Sequence, residues 1–368
     1  MKNNYFLRML FPVLFLVMFG ASPVLKAQEE FADFINQSKE DVNTIVKAYG
    51  GPMLKAIGNN YNNGWYSTAD PLNLGRFDIR FVGTASFCPK SDQSFNFNDL
   101  NLRYLQTAPG SPEKVPTVFG KKNQQAKIQV LASVPGYADS LKVTRTQVIP
   151  TAGINFMPGI VPQINVGLIK NTELMLRFLP EIKVPVTGDQ SLYTSSWGLG
   201  IKHDIKQWIP YFKKLPISMS VYAAYANTGL YAKGPFLTPE DLPGGYNNPE
   251  PKDYDAQKIN FNTTSWNAGI IVSKKVSVLT VFGGINFSSS SSSLDMSGYY
   301  PYVKPLENDE YEIAHIEKPV DIKTNTSQLG INAGFRLKLA IVSLTIQGTY
   351  APGGYSSATA ALGFGWFN

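Results

Sequence analysis

Gln328-Leu-Gly-Ile-Asn-Ala-Gly-Phe-Arg-Leu-Lys-Leu339 is the stretch on which the reading of this chain turns. Leu329, Ile331, Ala333, Phe335, Leu337 and Leu339 fall on one face, and Gln328, Gly330, Asn332, Gly334, Arg336 and Lys338 on the other. That is the period of two of a β-strand with one apolar and one polar side. A run of about a dozen exceeds the ~9–11 residues that a tilted strand needs to cross a bilayer. It is about twice the ~5–6 residues usual in soluble strands. The stretch predicts a membrane strand with lipid on one side and a polar lumen on the other.

The same pattern recurs at both ends of the chain. Phe77, Ile79, Phe81, Ala85 and Phe87 share a face opposite Arg76, Asp78, Arg80, Thr84 and Ser86. Near the C-terminus Ala358, Ala360, Leu362, Phe364 and Trp366 oppose Thr359, Ala361, Gly363 and Gly365. Pairing of these two strands would close the sheet and remove both edges. Phe364, Trp366 and Phe367 then read as an assembly signal and interface anchor.

Between them lie further candidate strands. Ile160–Lys170 and Glu173–Val184 form a pair about the turn at Lys170-Asn171-Thr172, and Lys127–Ser133 with Leu141–Pro150 forms another. Thr194–Lys202 and Pro216–Leu230 alternate as well. Asn267–Val272 is expected to turn through Ser273-Lys-Lys275 into Val276–Phe287, and Ser327–Leu337 near Lys338-Leu-Ala340 into Val342–Tyr350. The run Ser288–Ser293 and the polar 299–321 stretch read as an outer loop, as does the Pro/Gly/Asn-rich segment 231–257. His203–Leu215 breaks the alternation and suggests a short interfacial helix. Counting segments predicts an all-β, antiparallel transmembrane barrel of about fourteen strands, with about twelve as the alternative.

Composition agrees. Of 368 residues, 43% are hydrophobic and only 16% charged, against the roughly one quarter usual in soluble domains. A barrel needs less surface charge because its outer band faces lipid. The net charge of +6 comes from scattered Lys and Arg, so no nucleic-acid footprint emerges.

Residues 1–27 have the parts of a cleaved export signal: Lys2 and Arg8, an apolar run from Met9 to Gly20, and Ala27 before the cut. Residues 28–60 are the helical stretch. Ser38-Lys-Glu-Asp41 resembles a capping box, and Val42, Ile45, Val46 and Tyr49 share a helical face. Gly50-Gly51-Pro52 is expected to stop that helix and start a second short one. The pair serves as a hatch inside the barrel or as a cap on its rim, and residues 61–368 form the barrel. In Asn59–Ser67, Trp65 and Tyr66 read as interface rings, the reading that aromatic girdles favour, or as the ligand-binding contact.

No catalytic constellation stands out, so no enzyme is expected. His203 and His315 are the only histidines, and a lipase would need one of them beside a serine nucleophile. No His/Cys cluster supports a metal site, and no cofactor is expected. Cys88 is the single cysteine, which rules out an intrachain disulfide and reads as a small apolar strand residue.

Asn62-Asn-Gly-Trp-Tyr66, Pro116-Thr-Val-Phe-Gly120, Pro162–Gly167, Thr172–Pro180 and Gly200–Ile205 resemble segments of an uncharacterised family of exported Bacteroidota proteins. That resemblance implies an exported barrel in the outer membrane and no activity. In architecture alone, helices ahead of a barrel resemble the long-chain fatty-acid transporter type, which implies a passive channel for small hydrophobic compounds. A secretion-shuttle type of barrel, binding a protein partner through its long loops, is the alternative; a phospholipase is the minor one. The expected partners are outer-membrane lipid, the barrel-assembly machinery and a small hydrophobic cargo, with the protein a monomer.

Overall fold

The computed structural model describes residues 39–121, 126–133, 141–149, 151–184, 191–210, 215–242, 247–305 and 311–367. The expected export signal and Ser38 lie outside the described residues.

Among the described residues one helix, α1 (Lys39–Asn62), precedes the strands. It runs through Gly50-Gly51-Pro52 without a break, where two helices were expected. The interruption fails to occur because Gly51 and Pro52 are buried against the wall. A Cβ at Gly51 would lie 3.3 Å from the Thr324 methyl. Packing outweighs the ~3 kcal/mol that an internal Pro costs a free helix.

β1 (Phe77–Phe87) is followed by five short strands: β2 (Ser94–Asn96), β3 (Leu105–Thr107), β4 (Lys114–Pro116), β5 (Lys127–Ser133) and β6 (Leu141–Val148). The chain then makes β7 (Phe156–Leu168), β8 (Thr172–Val184), β9 (Ser191–Asp204), β10 (Ser218–Lys233), β11 (Lys258–Val276) and β12 (Leu279–Ser297). A hairpin of β13 (Tyr299–Pro305) and β14 (Tyr311–Glu317) leads to β15 (Asp321–Leu339), β16 (Val342–Tyr350) and β17 (Ser356–Trp366).

Ten of these strands close an antiparallel barrel in the order β1-β17-β16-β15-β12-β11-β10-β9-β8-β7. Among the described residues the barrel has ten strands, where about fourteen or about twelve were expected. Among the described residues the short strands pair outside the barrel, as β2-β4, β3-β5-β6 and β13-β14. They build small sheets at one end of the barrel, and period alone cannot tell such strands from wall strands. The serine run is also corrected. Ser288–Ser293 is wall, paired to β11 and β15 along its length. Ser290 and Ser292 face inward, and their small side chains let Gly58 of α1 approach so closely that a Cβ there would collide with Ser290.

Closure joins first strand to last, Phe77↔Trp366 through Phe87↔Ser356, as the two alternations require. Tight turns gather at one end: residues 169–171, with Lys170 and Asn171 in the left-handed region, 277–278 and 340–341. β11 runs four residues past its expected end at Val272 and β15 two past Leu337, because ladder pairing continues to Val276↔Leu279 and Leu339↔Val342. In the break after His203 the described residues hold one 3-10 turn, Lys206–Trp208. Connections after β1, β10 and β12 are long, and all leave from the opposite end.

In a band next to the tight turns the outer face is apolar, whereas further up β15 turns Asp321, Lys323, Asn325 and Ser327 outward. Leu329, Ile331, Phe335, Phe77, Ile79, Phe81, Trp197, Leu199, Ile201, Ile285 and Ile346 are all exposed. The inner face carries the polar set, including Asp78, Arg80, Glu173, Arg177, Lys202, Asn267 and Arg336, all buried. An apolar cluster lies above it at the long-connection end. There Val42, Ile45, Met53, Leu54 and Ile57 of α1 pack with Val118, Phe119, Phe236, Phe261, Met296 and Tyr300.

Candidate functional site

α1 starts at the long-connection end, where the Asn43 carboxamide donates to the Pro319 carbonyl and accepts from the Asp321 amide. It descends until its last turns meet β1, β7 and β12. Residues 63–76 then continue as irregular chain through the lumen and reach β1 at the tight-turn end. Irregular backbone buried inside a barrel needs every N–H and C=O satisfied from the wall. The wall supplies many of those partners.

Arg177 is the centre of the arrangement. Its guanidinium donates to the carbonyls of Tyr61 (2.8 Å) and Asn63 (2.7 Å) and to Gln163 Oε1 (2.9 Å). The same group lies 3.9 Å above the Trp65 ring. The Trp65 carbonyl accepts from Arg80 (2.7 Å) and Gln163 (2.8 Å). Further round the wall, Asn267 donates to the Asn62 carbonyl and belongs to an amide ladder. Asn332 donates to Asn286 at 3.1 Å, and Asn286 to Asn267 at 3.2 Å. Lower down, the Lys202–Glu173 pair (2.9 Å) brackets the chain, with Lys202 donating to the Thr68 carbonyl and Glu173 accepting from the Leu72 amide. Ser220 donates to the Ala69 carbonyl, and Ser273 Oγ accepts from the Ala69 amide at 3.0 Å.

Asn59 and Asn60 fix the upper end of this segment. Asn59 Nδ2 donates to Ser86 Oγ (2.8 Å) and the Tyr355 carbonyl (2.9 Å), while Asn60 Oδ1 accepts from Ser86 Oγ (2.7 Å). Trp65 fits a notch on β9 made by two glycines. A Cβ at Gly198 would sit 2.9 Å from the indole, and one at Gly200 3.2 Å from it. Gly64, with φ +75°, faces Val82 so closely that no side chain fits there.

This corrects the interface reading of Trp65 and Tyr66. Both are buried in the lumen, at 1% and 3% exposure, and Tyr66 packs on Tyr222 (4.7 Å) and Phe282 (5.9 Å). Phe364 and Trp366 point outward, whereas Phe367 turns inward and lies 4.4 Å from the Arg336 guanidinium. The structure therefore separates Phe367 from the other two.

The histidines sit in unrelated places. His203 Nδ1 lies 2.8 Å from Thr172 Oγ1 with the ring against Trp208, and His315 Nε2 lies 2.7 Å from Tyr254 OH. Burial, then the charge of Lys252, lowers the His315 pKa. Cys88, just beyond β1, is buried, and desolvation followed by the charge of Asp92 pushes its thiol up to about 12. Asp92 also takes Lys55 (2.9 Å) and Tyr355 OH (2.6 Å), tying α1 to the outer sheets. Among the described residues no group of His, Cys, Asp and Glu is placed to hold a metal.

The inward charges of β1 and β8 are visible as alternation, but their partner is not. The signal available was complementarity: an amide-rich Asn59–Asn63 run matched to inward Arg, Asn and Gln residues.

Fold and lumen together define a closed antiparallel barrel filled by its own N-terminal chain. The chain belongs to a family of unknown function, DUF6588, whose model matches residues 1–366. A search of curated proteins found no match. Among solved structures, the translocator domain of autotransporter NalP from Neisseria meningitidis is similar at 12% identity and TM-score 0.30, covering 87% of this chain and 95% of that one. Outer membrane protease OmpT from Escherichia coli is similar at 12% identity and TM-score 0.30, covering 83% and 100%. The attachment invasion locus protein Ail of Yersinia pestis is similar at 8% identity and TM-score 0.25, covering 79% and 97%. These distant likenesses carry no functional argument.

Proposed function

We propose that the protein is an outer-membrane β-barrel sealed by its own chain, which holds a folded head at the long-connection end for contact with a protein partner. The membrane part of this reading rests on the outward apolar faces. β1 has Phe77 and Phe87 at its two ends. Its about ten steps of ~3.3 Å at a tilt near 40° span ~25 Å, the height of the apolar band in outer-membrane barrels. Tight turns then face the periplasm and the head faces outward.

One observation carries the sealed reading: side chains from β1, β7, β8, β9, β10 and β11 hold the backbone of Tyr61–Leu72 across the lumen. A passive channel for small hydrophobic compounds would need this segment to leave, exposing those buried groups at ~1–3 kcal/mol each. The head comprises β2–β6, the β13–β14 hairpin and the 234–257 connection. Gln257 pins that connection by accepting from the Phe236 (2.7 Å) and Leu237 (3.0 Å) amides and donating to the Leu237 and Tyr299 carbonyls (2.7 Å each).

The test is uptake of an apolar solute by proteoliposomes. The sealed reading predicts rates equal to those of empty liposomes, and saturable uptake would overturn it. Removal of residues 299–317 should leave the barrel folded and abolish partner capture. Capture that survives would overturn the role of the head.

A further inference from the structure

The connections at the tight-turn end expose large apolar side chains, where turns in water are usually built from Gly, Asn, Asp and Ser. Leu74, Ile169, Trp208, Leu339 and Ile341 are 64% to 68% exposed. The strand ends beside them continue the outward faces of the wall. Leu168 follows Ile160 and Ile164 on β7, Val276 follows Trp266 and Ile270 on β11, and Leu339 follows Ile331 and Phe335 on β15. The apolar band therefore runs to the very end of the barrel.

Each of these connections also carries a cation. Lys170 sits in the β7–β8 turn next to Ile169, and Lys206 lies just before Trp208. Lys274 and Lys275 precede Val276, and Lys338 precedes Leu339. Arg76, where the chain enters β1, lies over the Trp366 ring at 4.3 Å. Outside the buried pairs of the lumen, the carboxylates at this end among the described residues are Asp70 and Asp204. The charge of Asp70 acts on Arg336, and Asp204 accepts from the Lys206 amide at 2.7 Å. Lys170, Lys274 and Lys275 are exposed and have no acidic partner among the described residues.

We propose that this rim binds the headgroups of anionic phospholipids in the adjoining leaflet, with Lys170, Lys274 and Lys275 as its charged contacts. Lysine stems lie along apolar surface and carry the ammonium out to the phosphate layer. Each lysine at an anionic lipid surface adds to the attraction, whereas a zwitterionic headgroup offsets its phosphate with its own cation. The cations recur at separate connections around the barrel, each in line with an apolar face that lipid covers. That distribution suits a surrounding leaflet; a docked protein would cover one side. The inference rests on the membrane reading of the barrel and is independent of the sealed lumen.

Equilibrium binding of short-chain fluorescent phosphatidylglycerol and phosphatidylcholine to the whole purified protein in neutral detergent tests this. Phosphatidylglycerol should bind about tenfold tighter or more at low salt, and the gap should close at high salt. Lys170→Gln, Lys274→Gln and Lys275→Gln should each weaken phosphatidylglycerol about fivefold, and together roughly a hundredfold, with phosphatidylcholine unchanged. Lys252→Gln in the head should change neither. Heat-modified gel mobility checks that each variant is folded, and insertion into phosphatidylcholine vesicles checks the membrane reading separately. Equal affinity of the wild type for the two lipids, or full phosphatidylglycerol affinity in the folded triple variant, would overturn the rim. Soluble glycerol phosphate that displaces the lipid at equal concentration would overturn the lipid as its ligand. So would a triple variant that loses a periplasmic protein and keeps phosphatidylglycerol.

Discussion

Replacing Arg177 by Met keeps an unbranched stem and removes the guanidinium with its charge and donors. Asn63 O and Gln163 Oε1 each lose a donor, and Tyr61 O keeps one from Trp65 Nε1 at 3.0 Å. Each buried acceptor left unmet costs ~1–3 kcal/mol, and the lost contact with the Trp65 face adds ~1–2. Removing an uncompensated buried charge returns part of this. The net loss is about 3 kcal/mol, on the order of a 100-fold shift toward a released lumen segment. Planar-bilayer recording reads it directly. Wild-type protein should be electrically silent, and Arg177→Met should show frequent openings together with a lower melting temperature. A variant as silent and as heat-stable as wild type would refute the assignment of Arg177 as the central clamp.

Other outcomes follow from single residues. Gly198→Val should destabilise the folded barrel by ~1–3 kcal/mol, read by thermal melting, because its Cβ meets both the Trp65 indole and the Tyr225 carbonyl. Cys88 should resist maleimide at pH 7.5 until the protein is denatured, since burial holds the thiol protonated. His315 has a folded pKa below its unfolded value, so its contribution to stability is present above about pH 6.5 and is lost as pH falls through the folded value. Hydrogen exchange in 247–257 should therefore quicken on acidification, and His315→Gln should remove that dependence. Truncation after Gly365 should stop insertion into the outer membrane, measured by the loss of heat-modifiable protein from that fraction.

How much was legible depends on where each partner lies. Alternation at Arg76–Phe87 and Ala358–Trp366 is local, so wall, outer face and closing pair could be read from it. The strand count could not, because β5 and β6 alternate as wall strands do while pairing outside the barrel. Gly50-Gly51-Pro52 and Ser288–Ser293 were misleading for a related reason. Their small side chains look like breaks, yet each fits α1 against the wall. Trp65 was hardest, since its place depends on Gly198, Gly200 and Arg177, more than a hundred residues away, and no local pattern encodes that match.

A disulfide clamp tests the central claim most directly. Thr68 Oγ1 and Ser273 Oγ lie 3.1 Å apart, so Thr68→Cys with Ser273→Cys, in a Cys88→Ala background, should cross-link the lumen segment to β11. Proteoliposome uptake of an apolar solute is then compared with the clamp oxidised and reduced. A sealed barrel predicts efficient cross-linking and uptake equal to empty liposomes in both states. Uptake by the reduced protein that disappears on oxidation would contradict it and make residues 61–72 a working gate.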